Sequence, residues 1–445
     1  MTAGFFEAPR AAEFALRNVR VPATLAPGAV APATQDGHLD VDIAIASGRI
    51  ADIVPAGTID VARGPDLRRS VVWPTFADVH THLDKGHIWP RAANPDGTFF
   101  GALTTVMADR QANWNAADIE ARFDFALRCA YAHGVSAVRT HLDSFSPQAE
   151  ISWPVFAKLR DRWEGRIALQ ASSILAMDPF ATGEGDRLAD LVARHGGQLG
   201  CVTRLAGEDH VGVPANFDDY MTRVFELAEA RGLDLDLHVD ESGDPEARTM
   251  IRIARMAAKR KFKGAILMGH CCSLAVQPDE AIEATLAACA EARIDVVSLP
   301  MCNMYLQGRE GGRTPRWRGV TLLHEMKARG MRVAVAGDNV RDPFYAYGDH
   351  DMLETFVQAV RILQLDHPMG DWPQAATTTP ADIMKLPATG RIARGNPADL
   401  IVMRARSHSE LLSRRQSDRV VLRDGMAIDT TLPDYRELDA IVGMK

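Results

Sequence analysis

The sequence predicts an α/β protein built on a (β/α)8 TIM barrel, with a small β domain assembled from the two ends of the chain. Three observations carry this reading. Apolar, β-branched runs alternate with amphipathic stretches through the middle of the chain, eight such runs occur, and short β runs punctuated by Gly and Pro occupy both flanks. Strands alternating with helices form parallel sheets, and eight repeats are the number that closes one into a barrel.

The eight runs are 71–82, 135–143, 166–175, 199–206, 233–241, 265–272, 294–303 and 332–339. Between them, segments 117–132, 218–230, 245–261, 279–292 and 352–363 space their apolar residues three and four apart, as helices with one buried face do. The N-terminal flank holds short β runs at 14–21, 41–45 and 49–54, and the C-terminal flank holds two more at 395–403 and 419–425, the last closing on a tight turn at Asp424-Gly425. The expected division is therefore a β domain of residues 1–70 plus 390–445 and a barrel of residues 71–389.

Composition excludes several function classes. A chain of 445 residues buries a core large enough for a deep active site. Its net charge of -8 and the lack of a Lys/Arg block argue against nucleic acid as a partner. No stretch approaches the ~20 apolar residues that cross a bilayer, and the N-terminal segment lacks a basic region followed by an apolar one, so no membrane partner and a cytoplasmic location are expected. The six cysteines show no C-x-x-C spacing and read as reduced core residues rather than a zinc knuckle or a disulfide scaffold. A homo-oligomer is left open.

Barrel enzymes keep their chemistry at the C-terminal ends of the strands. The first run ends in His80 and His82, and positions i and i+2 of a strand point to one face. The second run ends in Arg139-Thr-His141-Leu-Asp143, the third carries Gln170, the fifth His238 and Glu241, the sixth His270, and the eighth Asp338-Asn339. Burying so many polar groups without partners would be costly, so the set reads as an active site facing a small-molecule substrate.

Within it, His80, His82, His238 and Asp338 form a ligand set for one divalent ion, zinc or iron. Glu241 follows His238 by three positions and reads as the proton shuttle, with His270 holding the attacking hydroxide or stabilising developing charge. Asp338 is counted with the catalytic groups as well as with the ligands. No lysine ends the fourth run, where Cys201-Val-Thr-Arg-Leu-Ala206 stands, so a lysine-bridged pair of metals is not expected. Lys85 reads as a salt-bridge partner, Asp84 and Asp143 as groups that orient histidines. Trp89, Phe99, Trp317, Phe344 and Tyr345 are candidates to stack on a planar ring.

The motifs His80-Thr-His82-Leu-Asp84, Val138-Arg-Thr-His141-Leu-Asp143, Leu169-Gln170, His238-Val-Asp-Glu241, Gly269-His270-Cys-Cys-Ser-Leu-Ala275 and Gly337-Asp338-Asn339 together resemble the amidohydrolase superfamily, and within it the bacterial cytosine deaminase group. The resemblance covers nearly the whole chain. It implies a composite β-sandwich built from the flanks, one bound iron or zinc, and Gln170 on the amide edge of the substrate ring, with His141 and Asn339 as further substrate contacts. Departures bear on the ring. Ile174-Leu-Ala-Met-Asp178 stands where the group typically has Pro-Gln-Glu-Gly, and Asn339 stands where it has a second Asp. Asn both donates and accepts where Asp only accepts. The runs Thr81-His-Leu-Asp-Lys85 and Asp338-Asn-Val-Arg-Asp342 also resemble N-isopropylammelide hydrolase, which lacks the Glu kept here as Glu241.

The expected function is metal-dependent hydrolytic deamination of cytosine or a related aminated N-heterocycle, releasing ammonia. The alternative is an amidohydrolase acting on an N-substituted aminotriazine or a cyclic amide. A non-catalytic small-molecule binder would be free to lose the shuttle residue, which this chain retains.

Overall fold

The computed structural model describes residues 5–443. Its strands are, in chain order, β1 (Glu13–Pro22), β2 (His38–Ala46), β3 (Arg49–Pro55), β4 (Val71–Pro74), β5 (Phe76–Thr81), β6 (Val135–Asp143), β7 (Ala168–Ile174), β8 (Leu235–Val239), β9 (Ile266–His270), β10 (Asp295–Ser298), β11 (Val333–Val335), β12 (Leu400–Met403), β13 (Val420–Arg423) and β14 (Met426–Ala427). The chain divides into two compact units, one of residues up to Asp78 with Arg128–Ala137 and Asp351–Leu432, the other of Val79–Leu127, Val138–His350 and residues from Pro433 on.

In the first unit, strands from both ends of the chain share one seven-stranded sheet in the order β14-β13-β12-β4-β1-β2-β3. Its tight connections follow from turn chemistry. Ser47-Gly48 joins β2 to β3 and Asp424-Gly425 joins β13 to β14, each pair with positive φ at both residues, as a two-residue hairpin turn requires. The register of β1 on β2 slips between Leu16 and Val19. At that bulge the Asn18 N–H donates to buried Asp42, whose other carboxylate oxygen accepts the N–H groups of Gly57 and Ile59. A carboxylate bound by three amides is thus accommodated beside an apolar core of Leu16, Val19, Val41, Ile43, Leu400 and Val402.

The second unit carries the parallel strands. β8, β9, β10 and β11 form one sheet, and β5, β6 and β7 another. All five residues of β8 and of β9 are buried, as strands covered on both faces are. Isolated parallel bridges join the sheets: Ser172 to Gln198, Leu199 to Leu235 and Val202 to His238 on one side, Thr81 to Asp338 on the other. The fourth run of the sequence is present only as these bridges, not as a continuous strand. A Cβ on Gly200 would lie 2.2 Å from the carbonyl oxygen of Ser173 and 2.5 Å from that of Asp236, so only glycine lets the backbone pass there.

The helices Ala116–Ala132, Phe217–Arg231, Thr249–Arg260, Asp279–Glu291 and Met352–Leu363 fall on the expected segments. Thr249–Arg260 buries Met250, Ile253, Ala254 and Ala257, a stripe at intervals of three and four. Helices Phe99–Asn113, Ala149–Arg162 and Gly183–His195 lie outside those segments; Thr98 caps the first by accepting from the Gly101 N–H. None of the described helices is long and apolar enough to cross a membrane.

Candidate active site

Strand geometry places the histidines. His80 lies in β5 and His82 directly after it, and Asp338 follows β11 by three residues. The Asp338 N–H donates to the His80 carbonyl at 2.8 Å, and the Asp338 carbonyl accepts from the His82 N–H at 3.3 Å and from Thr81 Oγ1 at 2.8 Å. Asp338 holds a φ of 59°, a left-handed conformation that aspartate tolerates better than most residues. Its carboxylate Oδ1 stands 3.2 Å from His82 Nε2 and 3.6 Å from His80 Nε2, and His238 Nε2, from β8, stands 3.4 Å from His82 Nε2.

This donor set suits a divalent cation. Burial, more than any neighbouring charge, holds His80, His82 and His238 well below the usual imidazole range, so all three present neutral nitrogens. Nitrogens of this kind whose lone pairs converge with a carboxylate oxygen beside them offer a cation several donors at once. Donors bound tetrahedrally at about 2.0–2.1 Å stand about 3.4 Å apart. The three observed separations, 3.2, 3.4 and 3.6 Å, match that spacing. His80 also belongs to two other groups able to hold an ion, with His238 and His270 and with His141 and Asp236. It is the member common to all three.

Glu241 and His270 meet on the same side. His270 Nδ1 lies 3.2 Å from Glu241 Oε1, and Asn303 Nδ2 reaches both, at 2.9 Å from His270 Nδ1 and 3.3 Å from Glu241 Oε1. The Glu241 carbonyl accepts from Gln307 Nε2 at 3.1 Å. Burial and then the Asp338 carboxylate push Glu241 well above the ordinary carboxyl range, and burial pulls His270 down to about 3. Both shifts favour the uncharged forms, the acid for Glu241 and the free imidazole for His270. Gly269 admits no side chain here, because a Cβ would come 2.9 Å from His80 Cε1.

These groups form the floor of a cavity of about 920 Å³, its open mouth included. The wall is apolar, with Phe99, Leu103, Val106 and Met107 from one face of the helix Phe99–Asn113 together with Phe145, Ile174, Leu175, Val202 and Phe344. Positions 99, 103, 106, 107 and 110 share a helical face, so Arg110 reaches the same space. Of the aromatic candidates, Phe99 and Phe344 line the cavity with ring centroids 5.4 Å apart, whereas Trp89, Trp317 and Tyr345 do not line it.

The structure brings His82, His238, Glu241, His270, Asp338 and Asn339 to this cavity, with His80 buried among them. It does not bring Gln170 or His141 to the wall. Gln170 Oε1 accepts from Arg139 Nη2 at 2.9 Å and from Nε at 3.1 Å, which engages its amide oxygen within the protein. His141 packs beside His80, ring centroids 4.0 Å apart, and its Nε2 lies 3.7 Å from Asp236 Oδ1. Asn339 lines the cavity but donates from Nδ2 to Asp342 Oδ2 at 2.7 Å.

Asp84 and Asp143 also differ from expectation. Asp143 pairs with Arg110 Nη1 at 2.8 Å and Lys85 Nζ at 3.7 Å, and Asp84 Oδ2 accepts the Asp143 N–H at 2.9 Å. Those bonds occupy both carboxylates with cations and backbone rather than with histidines. Burial raises the Asp143 carboxyl but Lys85 and Arg110 outweigh it and hold it below its usual value; Asp84, with burial and Asp143 beside it, rises to about 7.

Sequence reasoning missed Asn303, Arg110 and Arg204. Asn303 closes the seventh run of the sequence, but in the structure it lies on the helix Pro300–Leu306 that follows the strand β10. Arg204 stands in the fourth run, and Arg110 on a helix that had no clear periodicity.

Known proteins locate this architecture. The profile of the Amidohydrolase family matches residues 165–431. A pterin deaminase from Rhizobium rhizogenes is 52% identical over 447 aligned residues, 100% of both chains. Among solved structures, a 5-methylcytosine deaminase from Klebsiella pneumoniae liganded with 5-fluorocytosine superposes with a TM-score of 0.79 at 21% identity, covering 95% of this chain and 98% of the other. An N-isopropylammelide isopropylaminohydrolase from Burkholderia multivorans does so with a TM-score of 0.74 at 22% identity, covering 94% and 98%. The histidine and aspartate cluster at the strand ends is thus set in a chain that belongs to the amidohydrolase family, whose members hydrolyse C–N bonds other than peptide bonds, and this protein is such a hydrolase.

Proposed function

We propose that this protein is a metal-dependent deaminase that hydrolyses the exocyclic amino group of a planar N-heterocycle, with pterin the leading substrate. The observation that carries the proposal is the meeting of Glu241, His270 3.2 Å from it, and the His82–His238–Asp338 donor set on the floor of one cavity with apolar and aromatic walls. The full-length likeness to a pterin deaminase supports the choice of ring over cytosine. In the same reading, the bridged parallel sheets form a closed (β/α)8 barrel of residues 71–389, and residues 1–70 plus 390–445 form a composite β-sandwich domain.

His80, His82, His238 and Asp338 would hold one zinc or iron ion, which when bound supplies Lewis acidity and activates water as a nucleophile. Glu241, whose burial raises its affinity for a proton, is positioned by Asn303 at its carboxyl and by Gln307 at its backbone carbonyl. It takes a proton from the attacking water, gives it to the ring nitrogen beside the reacting carbon, and carries the water's second proton to the departing amine. His270 is held at Nδ1 by Asn303, which leaves Nε2, buried and without another protein partner, to steady the attacking oxygen. Asn339 remains in the wall as a substrate contact, and the ring packs against the wall that Phe99 and Phe344 form together. Water adds and ammonia leaves, so the amino carbon becomes an oxo carbon.

The test is product analysis with metal-loaded protein offered pterin, cytosine and an N-alkylaminotriazine. Ammonia and the 2,4-dioxo ring from pterin support the proposal. Alkylamine release as the main activity, or no ammonia from any aminated ring, would overturn it.

A further inference from the structure

The third strand ends on side chains that cannot hydrogen-bond a substrate. Gln170 is committed to Arg139, and the residues that β7 and its following loop present to the cavity are Ile174 and Leu175. A ring amide facing that wall would be buried with its oxygen unpaired, which costs binding. The next segment supplies a donor. Arg204, which follows the bridge of Val202 to His238, lines the cavity with only 7% of its surface exposed.

Its guanidinium is under-used by the protein. Among the described residues, its side chain donates from Nη1 to the Leu205 carbonyl at 3.3 Å, and the buried Nε has no acceptor. Cζ stands 5.8 Å from the centroid of Phe99, on the aromatic wall against which a planar ring would stack. The backbone carbonyl of Arg204 accepts the Met177 N–H at 3.1 Å, which ties the residue to the loop after β7. A buried cation with an idle donor is costly to keep, and it is satisfied when an electron-rich oxygen enters the cavity. Burial depresses its pKa, countered first by Glu241, yet guanidinium does not lose its charge in a protein.

We infer that Arg204 is the specificity-determining residue that binds a ring oxo oxygen of the substrate, in the role left vacant by Gln170. The inference rests on the reading of the cavity as a heterocycle site and deepens it. Arg has donors only, so it gains a hydrogen bond from an amino-oxo ring and none from the diamino analogue, whose amino group presents a donor to a donor. The substrate class is therefore an aminated ring that keeps an oxo group apart from the carbon undergoing substitution.

The experiment compares pterin, which is 2-amino-4-oxopteridine, with 2,4-diaminopteridine. Binding is followed by fluorescence titration of the metal-loaded Glu241→Gln protein, and ammonia release by the metal-loaded wild type. The expected result is a preference for pterin that Arg204→Met reduces by about 10- to 100-fold, with binding of the diamino ring changed less than about threefold. Arg204→Gln, which offers both a donor and an acceptor, is expected to even out the preference and guards against a Met variant that fails to fold. Loss of both ligands in parallel in the folded variants, or a preference that survives both substitutions, overturns the assignment, as does a wild-type site that does not distinguish the rings. Ammonia release is read separately. If none appears while the Arg204-dependent preference persists, the deaminase reading falls and the Arg204 assignment stands. If pterin is turned over but the preference is indifferent to Arg204, the Arg204 assignment falls and the deaminase reading stands.

Discussion

The backbone N–H of Asp338 is bonded to the carbonyl of His80 at 2.8 Å, and through that bond two segments far apart in the chain present their side chains to one point. The donor set is thus held by main chain rather than by long side chains, which lose more entropy on ordering. Adding zinc or ferrous ion to metal-free protein is therefore expected to raise the unfolding temperature, because a ligand that binds only the folded form stabilises it. Asp338→Ala and His82→Ala should each abolish that rise in a thermal scan; an undiminished rise in both would place the ion elsewhere.

Glu241→Gln removes the proton that the carboxyl carries while keeping its shape. Turnover is expected to fall by about 100- to 10,000-fold with metal content unchanged. Ammonia release and elemental analysis of the same sample check both halves.

Asn303 holds His270 and Glu241 together at 2.9 and 3.3 Å. Asn303→Ala should lower kcat by about 10- to 100-fold with little change in KM, since it touches the reacting groups only through others. Asn303→Asp, which cannot donate, should do no better. A loss confined to KM would mean that the residue contacts substrate directly.

Asp351 pairs with Arg419 Nη1 at 2.8 Å, lies 3.6 Å from His133 Nδ1, and caps its helix by accepting the Leu353 N–H at 2.9 Å. Burial raises its carboxyl, but Arg419 outweighs burial and leaves it below its usual value. A depressed folded pKa gives stability that is complete above the unfolded value of about 3.9 and is lost as pH falls through the folded one. Asp351→Asn is thus expected to cost about 3 kcal/mol near neutrality, and the gap from wild type should narrow below about pH 4. Chemical denaturation at a series of pH values measures it; a gap independent of pH would remove the ion pair from the account.

Gly200→Ala would drive a methyl group to 2.2 Å from the Ser173 carbonyl, whereas a Cβ at Gly183 meets nothing within 4 Å. The first substitution should cost about 3 kcal/mol or more and the second about 1 kcal/mol or less in either direction, by denaturant unfolding. Equal effects would show that the backbone at Gly200 can shift aside.

Local rules account for what was legible. A strand alternates its faces, so His80 and His82 had to share one, and chemistry at strand ends pointed to His238, Glu241, His270 and Asp338, which the structure gathers around one cavity. Helices with a regular stripe, such as Thr249–Arg260, were visible for the same reason. The helix Phe99–Asn113 was not, because its buried face borders a cavity rather than a core, and its sequence lacks a sharp apolar-to-polar division.

By itself the sequence determined the alternation of strands and helices, the hairpin turns of the flanks, and the residue types at the strand ends, all of which depend on neighbours a few positions away. Only the tertiary structure decided how those residues are used. Gln170 is captured by Arg139, 31 positions distant, Asp143 by Arg110 and Lys85, and Asn303 reaches His270 across 33 positions. A polar side chain in a buried site bonds to whichever partner folding brings within about 3 Å, and that competition is settled by packing between distant segments, which periodicity along the chain does not encode.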